Sequence, residues 1–229
     1  MIVGLAAVLL GCQPERPRVQ ASERPGAEAS TRPGVPVSTR PAGEPVVLFI
    51  GTSLTAGLGV EPDRAYPALI QARIDSAHLP WRVVNAGVSG ETSAGALRRI
   101  DWLLREPASI VVIETGANDG LRGQEPDSIR ANIQAMIDRL RARDPAVRIV
   151  LVGMNAMPNL GRDYVGGFEA IYPELARKNS VPLVPSLLAG VGGVDSLNQP
   201  DGIHPTPKGH AIMANTIWQT LRPLLAPSN

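Results

Sequence analysis

Five short apolar, β-branched runs, each separated from the next by a stretch of helical periodicity, leave this chain few folds to choose from. The runs Val46–Ile50, Arg82–Val84, Ile110–Glu114, Arg148–Val152 and Val181–Val184 are bounded by turns and read as buried strands. Helices are expected at Ala65–Ser76, Ser93–Leu104, Tyr164–Lys178 and Lys208–Leu221, and from Asp127 onward. In that last segment Ile129, Ile133, Met136, Ile137 and Leu140 form a single apolar stripe. Strand–helix alternation predicts an α/β fold, a parallel sheet with helices on both faces and right-handed crossovers. Open sheets of this kind place their sites outside the carboxyl ends of the strands. Ser53 follows the first run, Gly90 the second and Asn118 the third, so all three should meet at one edge.

Composition removes several classes of function. The 229 residues suffice for one domain of ordinary size with a full core. A formal charge of +1, with basic residues scattered along the chain, gives no electrostatic case for a nucleic-acid partner. The basic pairs and runs, Arg98-Arg99 among them, read as solvated helix faces. One cysteine, Cys12, forbids an intramolecular disulfide, and three histidines without HExxH or CxxC spacing give no metal site. A hydrolase built from such a chain needs an organic nucleophile.

Ser53 is the candidate, on a glycine-flanked turn in Phe49-Ile50-Gly51-Thr52-Ser53-Leu54. A serine hydroxyl is a poor nucleophile until a base accepts its proton. His204 has a carboxylate three residues before it, Asp201, in Asp201-Gly202-Ile203-His204-Pro205, whereas His78, beside Leu79-Pro80, reads as a loop residue and His210 as part of the last helix. That carboxylate can accept the Nδ1 proton and stabilise the imidazolium. The Gly90 amide and the Asn118 side chain can donate hydrogen bonds to an oxyanion. Each residue also has an ordinary reading: Ser53 as a helix N-cap, Gly90 and Asn118 as turn residues, Asp201-Gly202 as a turn and His204 as a cap on the following helix. The Ser53 segment lacks the GxxxxGK[ST] and GxGxxG patterns, and Thr55 breaks the G-x-S-x-G elbow.

These stretches, together with Asn85-Ala86-Gly87-Val88-Ser89-Gly90-Glu91-Thr92-Ser93, Gly116-Ala117-Asn118-Asp119-Gly120-Leu121-Arg122-Gly123 and Ala170-Ile171-Tyr172-Pro173, resemble the SGNH (GDSL-type) serine hydrolases. The bacterial arylesterase, acyl-CoA thioesterase and lysophospholipase group is the most similar. The resemblance implies a flavodoxin-like three-layer α/β/α sandwich on a five-stranded parallel sheet, and no cofactor. It implies Ser53, Asp201 and His204 as the catalytic triad, with Ser53, Gly90 and Asn118 as the oxyanion hole. The implied substrate is a small-molecule ester or lipid, cleaved through an acyl-enzyme, with acyl thioesters and lysophospholipids included. The chain departs from the family at Thr52, where Gly-Asp-Ser-Leu carries Asp; its hydroxyl is expected to bond the local turn backbone, more weakly than Asp would. Two rivals share the scaffold: a carbohydrate O-acetyl esterase, and a non-catalytic lipoprotein that binds envelope ligands.

Before Val46 the chain reads differently. Residues 1–11 are apolar and small, too few to span a bilayer core of ~30 Å as a helix. Leu9-Leu10-Gly11-Cys12 resembles a bacterial lipoprotein lipobox, although no Lys or Arg precedes it. That resemblance implies a signal peptide at 1–11, a lipidated Cys12 and a membrane anchor in a bacterial cell envelope, with the catalytic domain facing the periplasm or exterior. Residues 13–45 hold seven prolines and Val19, Val35 and Val37 as their only larger aliphatics. Such a segment buries too little apolar surface to offset its ordering entropy and is expected to be a disordered tether. The hydrolase domain is then 46–229.

Overall fold

The computed structural model describes residues 43–156 and 158–226. The signal, Cys12 and nearly all of the tether lie outside these residues. Five strands, β1 (Val46–Gly51), β2 (Arg82–Gly87), β3 (Ile110–Glu114), β4 (Arg148–Val152) and β5 (Leu183–Val184), form one sheet in the order β2-β1-β3-β4-β5. Every pairing is parallel. The strands match the apolar runs, except that β5 keeps only two residues of its run. β1 and β3 are buried at every position, as an inner parallel strand covered on both faces must be. Each fully buried Val, Leu, Ile or Phe contributes about 1.5–3 kcal/mol of transfer free energy, so the β1–β3 pair anchors the core.

The helices are α1 (Ser53–Ala56), α2 (Tyr66–Ser76), α3 (Ser93–Leu103), α4 (Ala117–Leu121), α5 (Pro126–Arg143), α6 (Arg162–Asn179) and α7 (Pro207–Leu221). Packing of α2 on α7, and of α3 on α5 and α5 on α6, groups them into two layers, one for each face of the sheet. Local sequence explains the long ones. In α5, Pro126 opens the helix, Asp127 sits in the first turn, and Arg141 and Arg143 sit in the last, all matched to the helix dipole. Its buried stripe is the predicted Ile129, Ile133, Met136, Ile137 and Leu140. Thr92 caps α3 and Thr206 caps α7, each accepting an amide with its hydroxyl. That α7 starts at Pro207 with a Thr206 cap removes His204 from the capping role.

The chain runs from β1 outward to β2, then returns to the other side of β1 for β3. A sheet opens a crevice at such a reversal, outside the carboxyl ends of β1 and β3. The short helices α1 and α4 stand at those two ends. The sequence reading missed both, because four or five residues are too few to show a helical period.

Candidate active site

Ser53 is the first residue of α1, directly beyond β1, and its side chain does not cap the helix. His204 reaches it from the loop before α7: Nε2 lies 2.9 Å from Ser53 Oγ. On the other ring nitrogen, Nδ1 lies 2.7 Å from Asp201 Oδ2. An ionised carboxylate only accepts, so Nδ1 carries the proton, and Nε2 is left to accept from the serine hydroxyl. The Asp201 carboxyl is held down at about 2 by the His204 main-chain amide first, then by the His204 ring and the Ile203 amide. Asp201 thus orients His204 and closes its own turn with one group.

Of the oxyanion candidates, Asn118 lines the cleft beside Ser53 and His204, and Gly90 lies on the neighbouring loop, tied to Asn118 through Glu91 and Arg122. Gly90 is exposed and has φ of +77°, a left-handed turn conformation that glycine adopts freely. Asn118, in α4, donates one Nδ2 proton to the Glu91 carbonyl (3.0 Å), which fixes the amide and leaves its second proton available. The Arg122 guanidinium bridges the two segments through the carbonyls of Gly90 and Asn118 (3.1 and 3.4 Å). Beneath them Asp119, buried, accepts from the Ser93 amide and hydroxyl (2.8 and 2.6 Å), tying α4 to the start of α3.

Three supports were not legible in the sequence. Glu91 pairs with Arg99 through both carboxylate oxygens at 2.7 and 2.6 Å. Arg99 also donates to the Ala86 carbonyl (2.7 Å), so it braces the Gly90 loop instead of lying on a solvated helix face. Asp119 is the second. The third is Glu114, the last residue of β3 and fully buried beneath the Ser53 turn. The Thr52 hydroxyl, expected to bond its local backbone, donates instead to Glu114, at 3.0 Å from each oxygen. The signal available was an acidic residue ending an otherwise apolar strand. His78 is a loop residue with φ of +51°, and His210 is buried in α7, where Nδ1 accepts the Tyr66 amide (3.2 Å). Burial, and then the charge of His204, hold His210 down at about 4.

A cleft of about 160 Å³ opens beside Ser53 and His204, with Leu54, Leu121, Met154, Ala156, Leu188 and Ile203 on its walls. Its walls are mostly apolar, with Ser53, Asn118 and His204 at one end and Asn155 among the remaining lining residues. The arrangement can deprotonate a hydroxyl, stabilise a tetrahedral oxyanion and shelter a short apolar chain.

Residues 49–212 match the model of the GDSL-like Lipase/Acylhydrolase family. The chain is 40% identical to Esterase TesA of Pseudomonas aeruginosa over 185 residues, 80% of this chain and 91% of that one. It is 34% identical to Thioesterase 1/protease 1/lysophospholipase L1 of Escherichia coli K12, over 80% of this chain and 86% of that one. Among solved structures, the psychrotrophic esterase EstA from Pseudoalteromonas sp., inhibited by monoethylphosphonate, superposes with a TM-score of 0.74 at 29% identity, covering 79% of this chain and 98% of that chain.

Proposed function

The chain belongs to the GDSL-like lipase/acylhydrolase family and hydrolyses ester bonds, and from that premise we propose that Ser53, His204 and Asp201 carry the reaction as a triad. The observation that carries the proposal is the continuous relay from Ser53 Oγ through His204 to Asp201, at 2.9 and 2.7 Å. Ser53 Oγ attacks the ester carbonyl while Nε2 takes its proton. The Ser53 amide, the Gly90 amide and the Asn118 side chain stabilise the oxyanion. The imidazolium, stabilised by Asp201, protonates the departing alcohol and leaves an acyl-serine. Water, deprotonated by the same Nε2, then releases the acid and restores Ser53. Inhibition of the related EstA by a phosphonate supports a serine nucleophile in this mechanism, since such compounds mimic the tetrahedral adduct.

The preferred substrates are acyl esters whose chain enters the apolar cleft, with acyl thioesters and lysophospholipids as further substrates. The printed activities of the Escherichia coli relative and the apolar walls at Leu121, Met154 and Leu188 support this range. The test is a chain-length series of p-nitrophenyl esters with palmitoyl-CoA and a lysophospholipid, run on wild type and Ser53→Ala. The variant should lose on the order of 10⁴-fold or more in kcat while keeping its fold. Hydrolysis near the wild-type rate would remove Ser53 from the mechanism.

The protein acts from a bacterial envelope membrane, held by lipid on Cys12 and separated from it by the tether of residues 13–45. The Leu9-Leu10-Gly11-Cys12 pattern supports this placement. Incorporation of labelled palmitate that vanishes in Cys12→Ser would bear it out, and incorporation unchanged by that substitution would contradict it.

A further inference from the structure

Glu114 is a fully buried carboxyl, and no Lys, Arg or His among the described residues pairs with it. A buried carboxylate without a counterion is expensive unless hydrogen bonds replace its water. Here the donors all come from the turn that carries Ser53. Oε2 accepts the Thr52 amide at 2.8 Å and the Thr55 hydroxyl at 2.8 Å, and both oxygens share the Thr52 hydroxyl at 3.0 Å. Because Thr55 Oγ1 spends its proton on Glu114, the contact of 2.6 Å between Thr55 Oγ1 and Tyr66 Oη is a bond that Tyr66 donates. Tyr66 is itself fixed in the core, edge-on to Phe49.

The residues bonded to Glu114 bracket Ser53: Thr52 before it and Thr55 after it. We propose that Glu114 is a positioning residue for the nucleophile, a carboxylate on a neighbouring strand that holds the Ser53 hydroxyl and amide at the angle the reaction needs. Gly51 provides independent support. A Cβ there would stand 1.9 Å from Thr55 Oγ1 and 2.7 Å from Glu114 Oε2, so the network fills the space that any side chain at 51 would take. Burial raises the Glu114 carboxyl above its ordinary value, and the bonds from Thr52 and Thr55 oppose that rise. Replacing it by glutamine substitutes an amide donor for one acceptor oxygen. Its remaining oxygen can stay on the Thr52 amide, but the charge is lost and the Thr52 hydroxyl must reverse to accept, so the turn is held by weaker bonds.

The inference rests on Ser53 being the nucleophile, which Ser53→Ala tests separately. If Ser53→Ala still hydrolyses esters, that underlying reading fails. If Ser53→Ala is inert while Glu114→Gln matches wild type, only the positioning role fails. The experiment measures kcat and KM per active site, titrated with a fluorophosphonate so that unfolded protein is not counted. Glu114→Gln should lower kcat and the labelling rate on the order of 10- to 100-fold, the penalty for a displaced reacting group, with KM within about two-fold. Thr52→Val should lower kcat on the order of 5-fold in the wild-type background and less than about 2-fold in Glu114→Gln, because both act through one network. Wild-type kcat per titrated site in Glu114→Gln, or fully additive losses in the double variant, would overturn the proposal. Should Glu114→Gln fail to fold, Thr52→Val against Thr52→Ser decides: recovery of kcat with Ser supports it, and wild-type kcat in Thr52→Val overturns it.

Discussion

The two halves of the proposed catalytic relay are held by opposite means. Ser53 stands on a turn sunk into the core, where Thr52 and Thr55 are almost wholly buried and Glu114 and Tyr66 bond them from other elements. His204 stands on an exposed loop that braces itself. Asp201 Oδ1 accepts the amides of Ile203 and His204, and the Gln199 amide donates to the His204 carbonyl at 2.7 Å. Beyond its bond to Ser53, its longer-range tie is through Gln199, whose side-chain amide donates to the Leu58 and Pro205 carbonyls at 2.8 and 3.0 Å. Ser53 is therefore positioned by the fold, and His204 by a few neighbouring residues. Substitutions in the base loop should remove activity and spare stability, whereas substitutions under the nucleophile should cost both.

The sharpest break comes from the base. His204→Ala should lower kcat on the order of 10⁴-fold or more, and Asp201→Asn on the order of 10³- to 10⁴-fold, both with melting temperatures within a few degrees of wild type. A large fall in melting temperature for either would mean that the base loop, too, is part of the stable core. Asn118→Ala sits between the regions, since α4 belongs to the fold but the amide faces the crevice. It should lower kcat on the order of 10²- to 10³-fold with little change in KM. An effect confined to KM would make Asn118 a substrate-binding group instead.

Thr55→Val sharpens the other half. It leaves Glu114 without one donor and the Tyr66 hydroxyl without its acceptor, inside the core. The stranded Tyr66 hydroxyl carries a penalty of about 1–3 kcal/mol, Glu114 keeps its bonds from Thr52, and kcat should fall at the same time. Calorimetry showing wild-type stability would contradict the core-braced turn. The smallest effect is on pH. The Asp201 carboxyl titrates lower in the fold, at about 2, than in the unfolded chain, so its contribution is present above the unfolded value and is lost as pH falls toward 2. Glu114 is raised, so its linkage has the opposite sign: stability is greatest with the proton on and declines as pH rises through the folded value. Melting temperature against pH should therefore flatten in the acid range for Asp201→Asn and tilt the other way for Glu114→Gln. Identical slopes for the two variants would contradict opposite environments.

The same contrast explains what the sequence could disclose. Asp201 and His204 are three residues apart and bond each other, so their partnership is written in local spacing. β1 and β3 show as apolar runs because burial on both faces leaves no polar alternation. Glu114 acts on Thr52 across 62 positions and two strands, and nothing local marks that meeting. Arg99 read as solvent-facing because its partner Glu91 lies eight residues back, outside its own helix. Only the register of β1 against β3 brings Thr52 and Glu114 together. The Thr52 substitution misled for the same reason: its bond goes to another strand, not to its own turn.

The central claim is that Ser53 is the residue that takes the acyl group. Intact mass and peptide mapping after treatment with a fluorophosphonate test it most directly. One adduct per chain is expected, on Ser53, absent from Ser53→Ala and formed far more slowly in His204→Ala. An adduct on any other residue, or no adduct in protein that hydrolyses esters at full rate, would contradict it.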